Sequence, residues 1–148
     1  MSDLPELPTE LRRMLRTGRL DRVEPNPVHA ATLMTMAEQH LATARALSGT
    51  EDVAMAFTAA YDGARKALTA VLAVHGLRVR PVGGAHRNTG VAASELVEDP
   101  ALGEFDWMRQ VRNATEYPDT DRPTASRQDL EEALEAAADI VSACRRVL

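Results

Sequence analysis

A stretch near the end of the chain, RQVRNATEYPD from Arg109 to Asp119, carries the densest polar chemistry in the sequence. It places Arg112, Asn113, Glu116 and Tyr117 within six consecutive residues, and a proline follows. An arginine can hold a phosphate through two parallel hydrogen bonds, and a carboxylate or phenol can exchange a proton. The stretch is therefore a candidate catalytic or binding site, with the frayed polar end of a helix as the simpler alternative.

Helical spacing points Arg112 toward the protein interior, because it falls inside an apolar arc of its helix. That arc is formed by Ala101, Phe105, Met108, Val111 and Thr115. A lone buried charge is costly, so Arg112 must be paired or must open onto a cleft. Glu116, one turn further on, offers a structural ion pair that Tyr117 could join. The order Arg-then-Glu is the less favourable one for a helix, which favours a cleft.

A second polar set lies on a long apolar helix in the middle of the sequence. Tyr61 and Arg65 are one turn apart there, beside Asp62 and Lys66, which have the spacing of an ordinary surface ion pair. If Tyr61 and Arg65 enter the same cleft as Arg112, two guanidinium groups converge. Such a pair is suited to a phosphate or a nucleic-acid backbone.

Two further residues complete the set of candidate ligand-binding side chains, together with Tyr61 and Arg65. Arg109 lies one turn before Arg112. His86 lies in GGAHRNTG, a glycine-rich segment that we interpret as a loop, where an exposed histidine is the simpler interpretation. This segment lacks the Gly-Lys-Ser/Thr ending of a phosphate-binding loop and a preceding strand.

Nothing in the sequence predicts a metal or a cofactor. His29, His40 and His75 are scattered and show no metal-ligand spacing. Cys144, the only cysteine, falls on the apolar face of the last helix, where inert packing is expected.

Composition predicts one cytoplasmic domain over residues 1–148, with residues 1–25 as a short N-terminal helix and extension. The sequence has one cysteine, no apolar leader and no run long enough to cross a membrane. The net charge of -5 argues against broad electrostatic binding of nucleic acid. A local arginine-lined groove stays open as an alternative to a solvated surface.

The elements that must position these residues are helices. Aromatic residues are only 3% of the chain and alanine is abundant, which predicts an all-α, antiparallel up-and-down bundle of four to five main helices. Start and stop signals place its boundaries. The first predicted helix begins after Thr9 and ends at Gly18, and the second runs from Asn26–Pro27 to about Leu47. The third runs from Thr50 to His75, with Gly76 as the stop, and a shorter fourth helix runs from about Thr89 to Val97. The fifth leads from Asp99–Pro100 into the polar stretch, and the last runs from a capping box at Ser126 and Asp129 to the end of the sequence.

The order of these segments resembles the HEPN domain superfamily. The segments are AAYDGARKALTAVLAVHGLRVR, then GGAHR, then FDWMRQVRNATEYPD and a final amphipathic helix, preceded by MLRTGRLDRV. The resemblance runs from about Leu11 to Leu148 and lies in the order of short motifs rather than in any one of them.

The resemblance implies a helical bundle that is usually a homodimer. Many relatives are ribonucleases, often toxins of toxin–antitoxin or defence systems with a nucleotidyltransferase-like antitoxin partner. Their site is an arginine, commonly followed by asparagine, with a histidine four to six residues later. Arg112 and Asn113 match the first half of this motif, whereas Tyr117, Pro118 and Asp119 occupy the positions for the histidine.

A missing histidine removes the group that titrates near neutral pH and could accept the proton of a 2′-hydroxyl. We therefore predict a non-catalytic or weakly catalytic module that binds RNA, a nucleotide or a partner protein in a cleft at a dimer interface. The alternatives are a metal-independent ribonuclease toxin, with Glu116, Tyr117 or His86 replacing the histidine, and a purely structural protein in which the cluster joins two copies.

Overall fold

The computed structural model describes residues 6–118 and 124–148, so Asp119 and the polar segment 120–123 lie outside the described residues. The described part contains six α-helices, one 3₁₀ segment and two short strands. The helices are α1 (Thr9–Arg16), α2 (Pro27–Leu47), α3 (Val53–Val74), α4 (Ala85–Ser94), α5 (Phe105–Glu116) and α6 (Arg127–Arg145), with the 3₁₀ segment Pro100–Glu104 leading into α5 and the strands β1 (Leu20–Arg22) and β2 (Leu77–Val79). None of the described helices is long and apolar enough to cross a membrane.

Helix α3 is the centre of the bundle and contacts α2, α4, α5 and α6. Its apolar residues surround most of the helix, and Phe57, Tyr61, Leu68 and Val71 have no exposed surface. A helix that is apolar on most sides must be enclosed by other helices. The predicted all-α bundle with this helix at its centre is confirmed.

Two helices begin where the sequence predicts. The Asn26 side chain accepts a hydrogen bond from the backbone N–H of His29, and Pro27 is the first residue of α2. Ser126 and Asp129 form the reciprocal capping box of α6. Both motifs satisfy N–H groups that the helix itself leaves free.

The predicted cap of α3 was wrong by two residues. Asp52 is the N-cap, and its carboxylate accepts from the N–H of Met55 at 3.0 Å. The Thr50 hydroxyl instead donates to the carbonyl of Leu47 and closes α2. Thr50 therefore ends one helix, and Asp52, two residues later, starts the next.

The two-stranded sheet was not predicted. β1 and β2 pair antiparallel with Leu20 opposite Val79 and Arg22 opposite Leu77. Each strand has only three residues, which is too short for an alternating pattern to be recognised, and their pairing joins distant parts of the chain. Leu20 and Leu77 are buried, so the sheet extends the core.

Helix α4 begins at Ala85 rather than near Thr89, so His86 lies in the first turn of a helix and not in a loop. Gly84 has a φ of 81° and ends the loop before it. The helix forms despite its glycine because Gly90 lies against the ring of Phe105, where an added Cβ would approach Cδ2 to 2.7 Å. Tertiary packing overrides local propensity here.

Replacing Ser126 with alanine should lower the free energy of unfolding by about 1 kcal/mol, because the backbone N–H of Asp129 loses its acceptor. Ser142→Ala is the matched control, since Ser142 is an exposed residue within α6. Urea denaturation of both variants checks this. Equal midpoints for the two variants would show that the capping box does not contribute.

Candidate functional site

Tyr61 is the centre of the candidate site and is completely buried in α3. Its ring stacks on Phe105 of α5, with centroids 5.1 Å apart and planes inclined by 14°. Its hydroxyl lies 3.0 Å from Nδ1 of His86 in α4. One side chain thus joins three helices, and it fixes the relative positions of the polar groups around it.

Arg112 lies over the ring of Tyr61, with its guanidinium carbon 5.8 Å from the ring centroid. This cation–π geometry agrees with the predicted inward orientation of Arg112, whose side chain keeps 23% of its surface exposed. The predicted ion pair with Glu116 is present but loose, with 3.8 Å between Nη2 and Oε1. Arg112 is therefore mostly buried against the Tyr61 ring and only loosely paired with Glu116.

Arg65 lies on the same side of the bundle, and its only ion pair in the described residues, with Asp62, is equally loose at 3.8 Å. The Nε atoms of Arg65 and Arg112 are both buried, and neither has a hydrogen-bond partner among the described residues. Arg109 differs, because Asp106 accepts from its Nε at 3.0 Å. In the part of the chain that the structure describes, two of the three arginines therefore have an Nε–H group without an acceptor.

Lys66 does not form the predicted pair with Asp62. Its Nζ lies 2.6 Å from Nε2 of His40 in α2, and burial, followed by the nearby Lys66 charge, lowers the pKa of His40. Lys66 therefore contacts α2 through His40.

The pKa of His86 is lowered from its ordinary value, first by burial and then by the charges of Arg65, Arg112 and Arg109, while Asp62 opposes the shift. All three arginines thus act electrostatically on one imidazole. Both effects favour the neutral form of the imidazole. A net positive field without a protonated histidine is suited to an anion.

The hydrogen bond between Tyr61 and His86 determines which histidine tautomer is present. Burial raises the pKa of Tyr61 to about 12, so the hydroxyl keeps its proton. Nδ1 of His86 is the only partner of this hydroxyl among the described residues, and a buried O–H needs an acceptor. We therefore assign Nδ1 as the acceptor and Nε2 as the N–H of His86.

The other predicted residues lie further from Tyr61. Asn113 is half-buried in the last turn of α5, and Tyr117 follows that helix with 70% of its surface exposed. No described hydrogen bond or ring contact joins either of them to Tyr61 or His86. The structure brings together Tyr61, Arg65, His86 and Arg112, with Arg109 nearby.

Sequence reasoning missed the role of Phe105 and the helical setting of His86. Phe105 was assigned only to the core face, yet its ring supports Tyr61 directly. The small residue Gly90, in the segment after His86, was the available signal that α4 approaches α5 closely. No group of three or more His, Cys, Asp or Glu side chains that could hold a metal ion occurs within residues 6–118 and 124–148.

The fold and the site define a helical bundle with an arginine-rich polar cluster around its central helix. The family model of the HEPN domain matches residues 30–147. The chain therefore belongs to the HEPN domain family, a family of RNA-binding or nuclease modules, and the resemblance stated above is confirmed. No curated protein and no solved structure matches the chain.

The assigned state of His86 predicts its behaviour in NMR. The ¹⁵N shifts should identify the Nε2–H tautomer, and the imidazole should titrate below its ordinary pKa of 6.5. Arg65→Gln should raise this pKa, because among the nearby charges that of Arg65 lowers it most. Arg45→Gln is the matched control on another face of the bundle. A histidine protonated on Nδ1 would contradict the assignment.

The same shift predicts how stability depends on pH. Unfolded His86 binds a proton more readily than folded His86, so the free energy of unfolding should fall as the pH drops below 6.5, and should level off below the folded pKa. His40 shifts in the same direction and adds to the effect. The pH dependence of urea unfolding should be weaker in His86→Gln.

Proposed function

We propose that the chain is a non-catalytic or weakly catalytic HEPN module that binds the phosphate groups of RNA or of a nucleotide. Arg65 and Arg112 supply the charged donors, and Nε2–H of His86 supplies a neutral one. The observation that carries this proposal is that the buried Nε atoms of Arg65 and Arg112 have no hydrogen-bond partner within residues 6–118 and 124–148. Arginine donors without acceptors are satisfied by an anion such as phosphate.

The charges of the site support a phosphate ligand. Asp62 Oδ1 lies 3.8 Å from Nη2 of Arg65, and Glu116 Oε1 lies 3.8 Å from Nη2 of Arg112. At this distance each guanidinium keeps hydrogen-bonding positions free. Partly exposed pairs of this kind contribute little to stability. A phosphate that accepts two parallel hydrogen bonds from one guanidinium can therefore replace them.

The tautomer of His86 supports binding rather than cleavage. A general base needs an unprotonated nitrogen facing the 2′-hydroxyl. In the assigned tautomer, Nδ1 of His86 accepts from the Tyr61 hydroxyl 3.0 Å away and Nε2 carries the proton, so neither nitrogen is free to accept one. Tyr61 itself has a pKa of about 12 and is a poor base at neutral pH.

The ribonuclease alternative has one observation in its favour, since His86 provides an imidazole close to Arg112 although the family histidine is missing. Exchange of the proton between the two nitrogens would convert it into a base. Glu116 is the other available proton acceptor, 3.8 Å from Arg112.

Fluorescence anisotropy with a labelled oligoribonucleotide of about ten nucleotides measures binding and tests the proposal. A denaturing gel of the same mixture, sampled over time, measures cleavage. We expect salt-dependent binding without cleavage, with about 0.7 counterions released per phosphate contact. Cleavage that is lost in both Arg112→Ala and His86→Ala would establish the nuclease instead. Absence of binding to RNA, nucleotide and phosphate alike would refute the proposal.

We further propose that the module acts as a homodimer through the face that carries Arg112, and that a nucleotidyltransferase-like protein is its antitoxin partner. The large exposed surface of Tyr117, at the end of α5, supports an interface there. Light scattering of the wild type and of Tyr117→Ser measures the dimer. If Arg112→Ala dissociates the dimer without any change in ligand binding, the cluster is a structural contact between copies.

A further inference from the structure

Strand β2 has one edge paired with β1 and a second edge without a partner strand in the part of the chain that the structure describes. The N–H of Arg80 donates to the carbonyl of Arg19 at 3.0 Å, and Arg78, two residues earlier, faces β1 in the same way. Because alternate residues of a strand direct their backbone groups to opposite edges, the N–H and C=O groups of Leu77 and Val79 point away from β1. None of these four groups has a hydrogen-bond partner among the described residues. A free edge of this kind is a template for a further strand.

A cavity of about 620 Å³ runs along this free edge. Residues 77–81 all line it, including those whose side chains point to opposite faces of the sheet, whereas no residue of β1 does. The cavity therefore lies beside the edge of β2 rather than against one face of the sheet. Helices α3 and α4 form its other walls, and the buried α3 residues Leu72 and Ala73 make part of it apolar. Its volume lies in the range of ligand-binding clefts, so a short extended segment has room beside β2.

The side chains of β2 give its two faces different chemistry. Leu77 is buried and Val79 is half-buried on one face, whereas the two arginines Arg78 and Arg80 are exposed on the other. Both arginines contact the same Asp21 oxygen, at 3.4 Å from Arg78 and 3.7 Å from Arg80, and such exposed pairs are weak. Neighbouring side chains of adjacent strands lie on the same face and interact there. A segment added to β2 should therefore carry acidic residues beside the arginines and apolar residues beside Leu77 and Val79.

The ends of the free edge set the length of the segment. Pro81 has no N–H and cannot continue the pairing, and Gly76, with a φ of 71°, follows the end of α3 at the other end. The edge thus offers two N–H donors and two C=O acceptors at strand spacing over residues 77–80. A polypeptide backbone matches alternating donors and acceptors, whereas the phosphates of a nucleic acid offer acceptors alone. The backbone groups of this edge therefore favour a protein segment.

We propose that β2 binds an extended segment of a partner protein as a third strand, with acidic and apolar residues alternating along that segment. The backbone groups of Leu77 and Val79 bond to the segment. Arg78 and Arg80 select its acidic side chains, and the apolar wall of α3 receives the others. This interaction does not depend on phosphate binding by Arg112, which does not line the cavity. Strand β1, which pairs with β2, precedes the residues that match the family model, so that match does not include the complete sheet.

Titration of the whole protein with a blocked hexapeptide of alternating valine and glutamate, followed by NMR, tests the inference. The amide signals of Leu77 and Val79 should shift downfield and exchange with solvent roughly tenfold more slowly when the peptide is bound, because they acquire acceptors. The amide of Arg78 is already bonded to β1 and should change little. Two further peptides are the controls, and neither should bind. One has lysine in place of glutamate, and the other keeps the side chains of the first peptide but is N-methylated at its inner amides.

Val79→Pro should weaken binding of the glutamate peptide roughly five- to tenfold, because it removes one N–H group of the free edge and leaves the pairing with β1 intact. Reversing two charges, in Arg78→Glu combined with Arg80→Glu, should transfer the preference to the lysine peptide. Arg45→Glu, at an exposed site on α2, is the matched control and should leave the preference unchanged. Arg112→Ala should also leave peptide binding unchanged, which separates this inference from the proposed function.

Equal affinity for the glutamate and lysine peptides, or binding that survives N-methylation, would overturn the inference, since the charges of β2 or its backbone groups would then not be recognised. No binding at about 1 mM glutamate peptide would overturn it as well. The N-methylated peptide decides the question in the wild-type protein if Val79→Pro does not fold. If an oligoribonucleotide, and not the peptide, protects the Leu77 and Val79 amides, the cavity binds nucleic acid and the inference fails. Phosphate binding is measured separately with Arg112→Ala, so the two proposals can fail independently.

Discussion

Arg112→Ala should weaken binding of a short oligoribonucleotide by roughly 10- to 100-fold, which corresponds to the loss of one charged hydrogen-bonded contact. The guanidinium lies over the Tyr61 ring and the side chain keeps 23% of its surface exposed, so we expect its exposed N–H groups to reach a phosphate. The dependence of the binding constant on salt should also become shallower, by about 0.7 in the logarithmic slope.

Stability should change far less than affinity in this variant. Alanine loses the cation–π contact with Tyr61, worth about 0.5–1 kcal/mol, and it also removes one positive charge close to Arg65 and Arg109. These two effects oppose each other. Thermal melting should therefore place Arg112→Ala close to the wild type.

Arg112→Lys and Arg45→Ala make the experiment specific. Lysine keeps the charge but lacks the planar fork, so its affinity should lie between those of the wild type and the alanine variant. Arg45 is exposed near the end of α2, on the side that faces α6, and does not belong to the cluster around Tyr61. Its loss removes the same charge. An equal loss of affinity in Arg45→Ala would mean that net charge, rather than the site, governs binding.

Gly76→Ala should destabilise the fold by about 2–4 kcal/mol, the largest effect expected from adding a single methyl group. Gly76 has a φ of 71°, where a residue with a Cβ is strained, and an added Cβ would lie 2.7 Å from the carbonyl oxygen of Val23. That oxygen belongs to the backbone and cannot rotate away. The connection between β1 and α2 would have to move.

The melting temperature measures this loss, and a decrease of about 5–12 °C is expected for a domain of this size. Two other glycines separate the effect of backbone strain from that of the contact with Val23. Gly84 has a φ of 81° but nothing within 4 Å of an added Cβ, so Gly84→Ala measures backbone strain alone. Gly103 also has open space, without a positive φ, and provides the baseline. If Gly76→Ala melts at the same temperature as Gly84→Ala, the contact with Val23 is unimportant.

Sequence reasoning succeeded where one local interaction determines the structure. Asn26 followed by Pro27 specifies the start of α2, and Ser126 with Asp129 specifies the start of α6, because these side chains bond to backbone groups three residues away. Gly18 and Gly76 have positive φ as predicted for helix ends. These interactions need no knowledge of the rest of the fold.

It failed where the determining contact is distant in sequence. Helix α4 contains Gly90, which packs closely against Phe105 of α5, and the two strands pair with each other across more than fifty residues of sequence. Helical spacing predicted only that Tyr61 and Arg65 lie one turn apart, and it left open whether they converge with Arg112. The hydrogen bond between Tyr61 and His86 could not be predicted, since the two residues are 25 positions apart and lie on different helices.

The stack of Phe105, Tyr61 and Arg112 has a consequence for the thermodynamics of recognition. A free arginine side chain carries about 2 kcal/mol of rotamer entropy, most of which a ligand normally has to remove. Here the guanidinium already lies over the Tyr61 ring without a ligand, and that ring is stacked on Phe105. Part of the ordering is therefore completed during folding, so association should proceed with a smaller conformational entropy change at this side chain than at an exposed arginine.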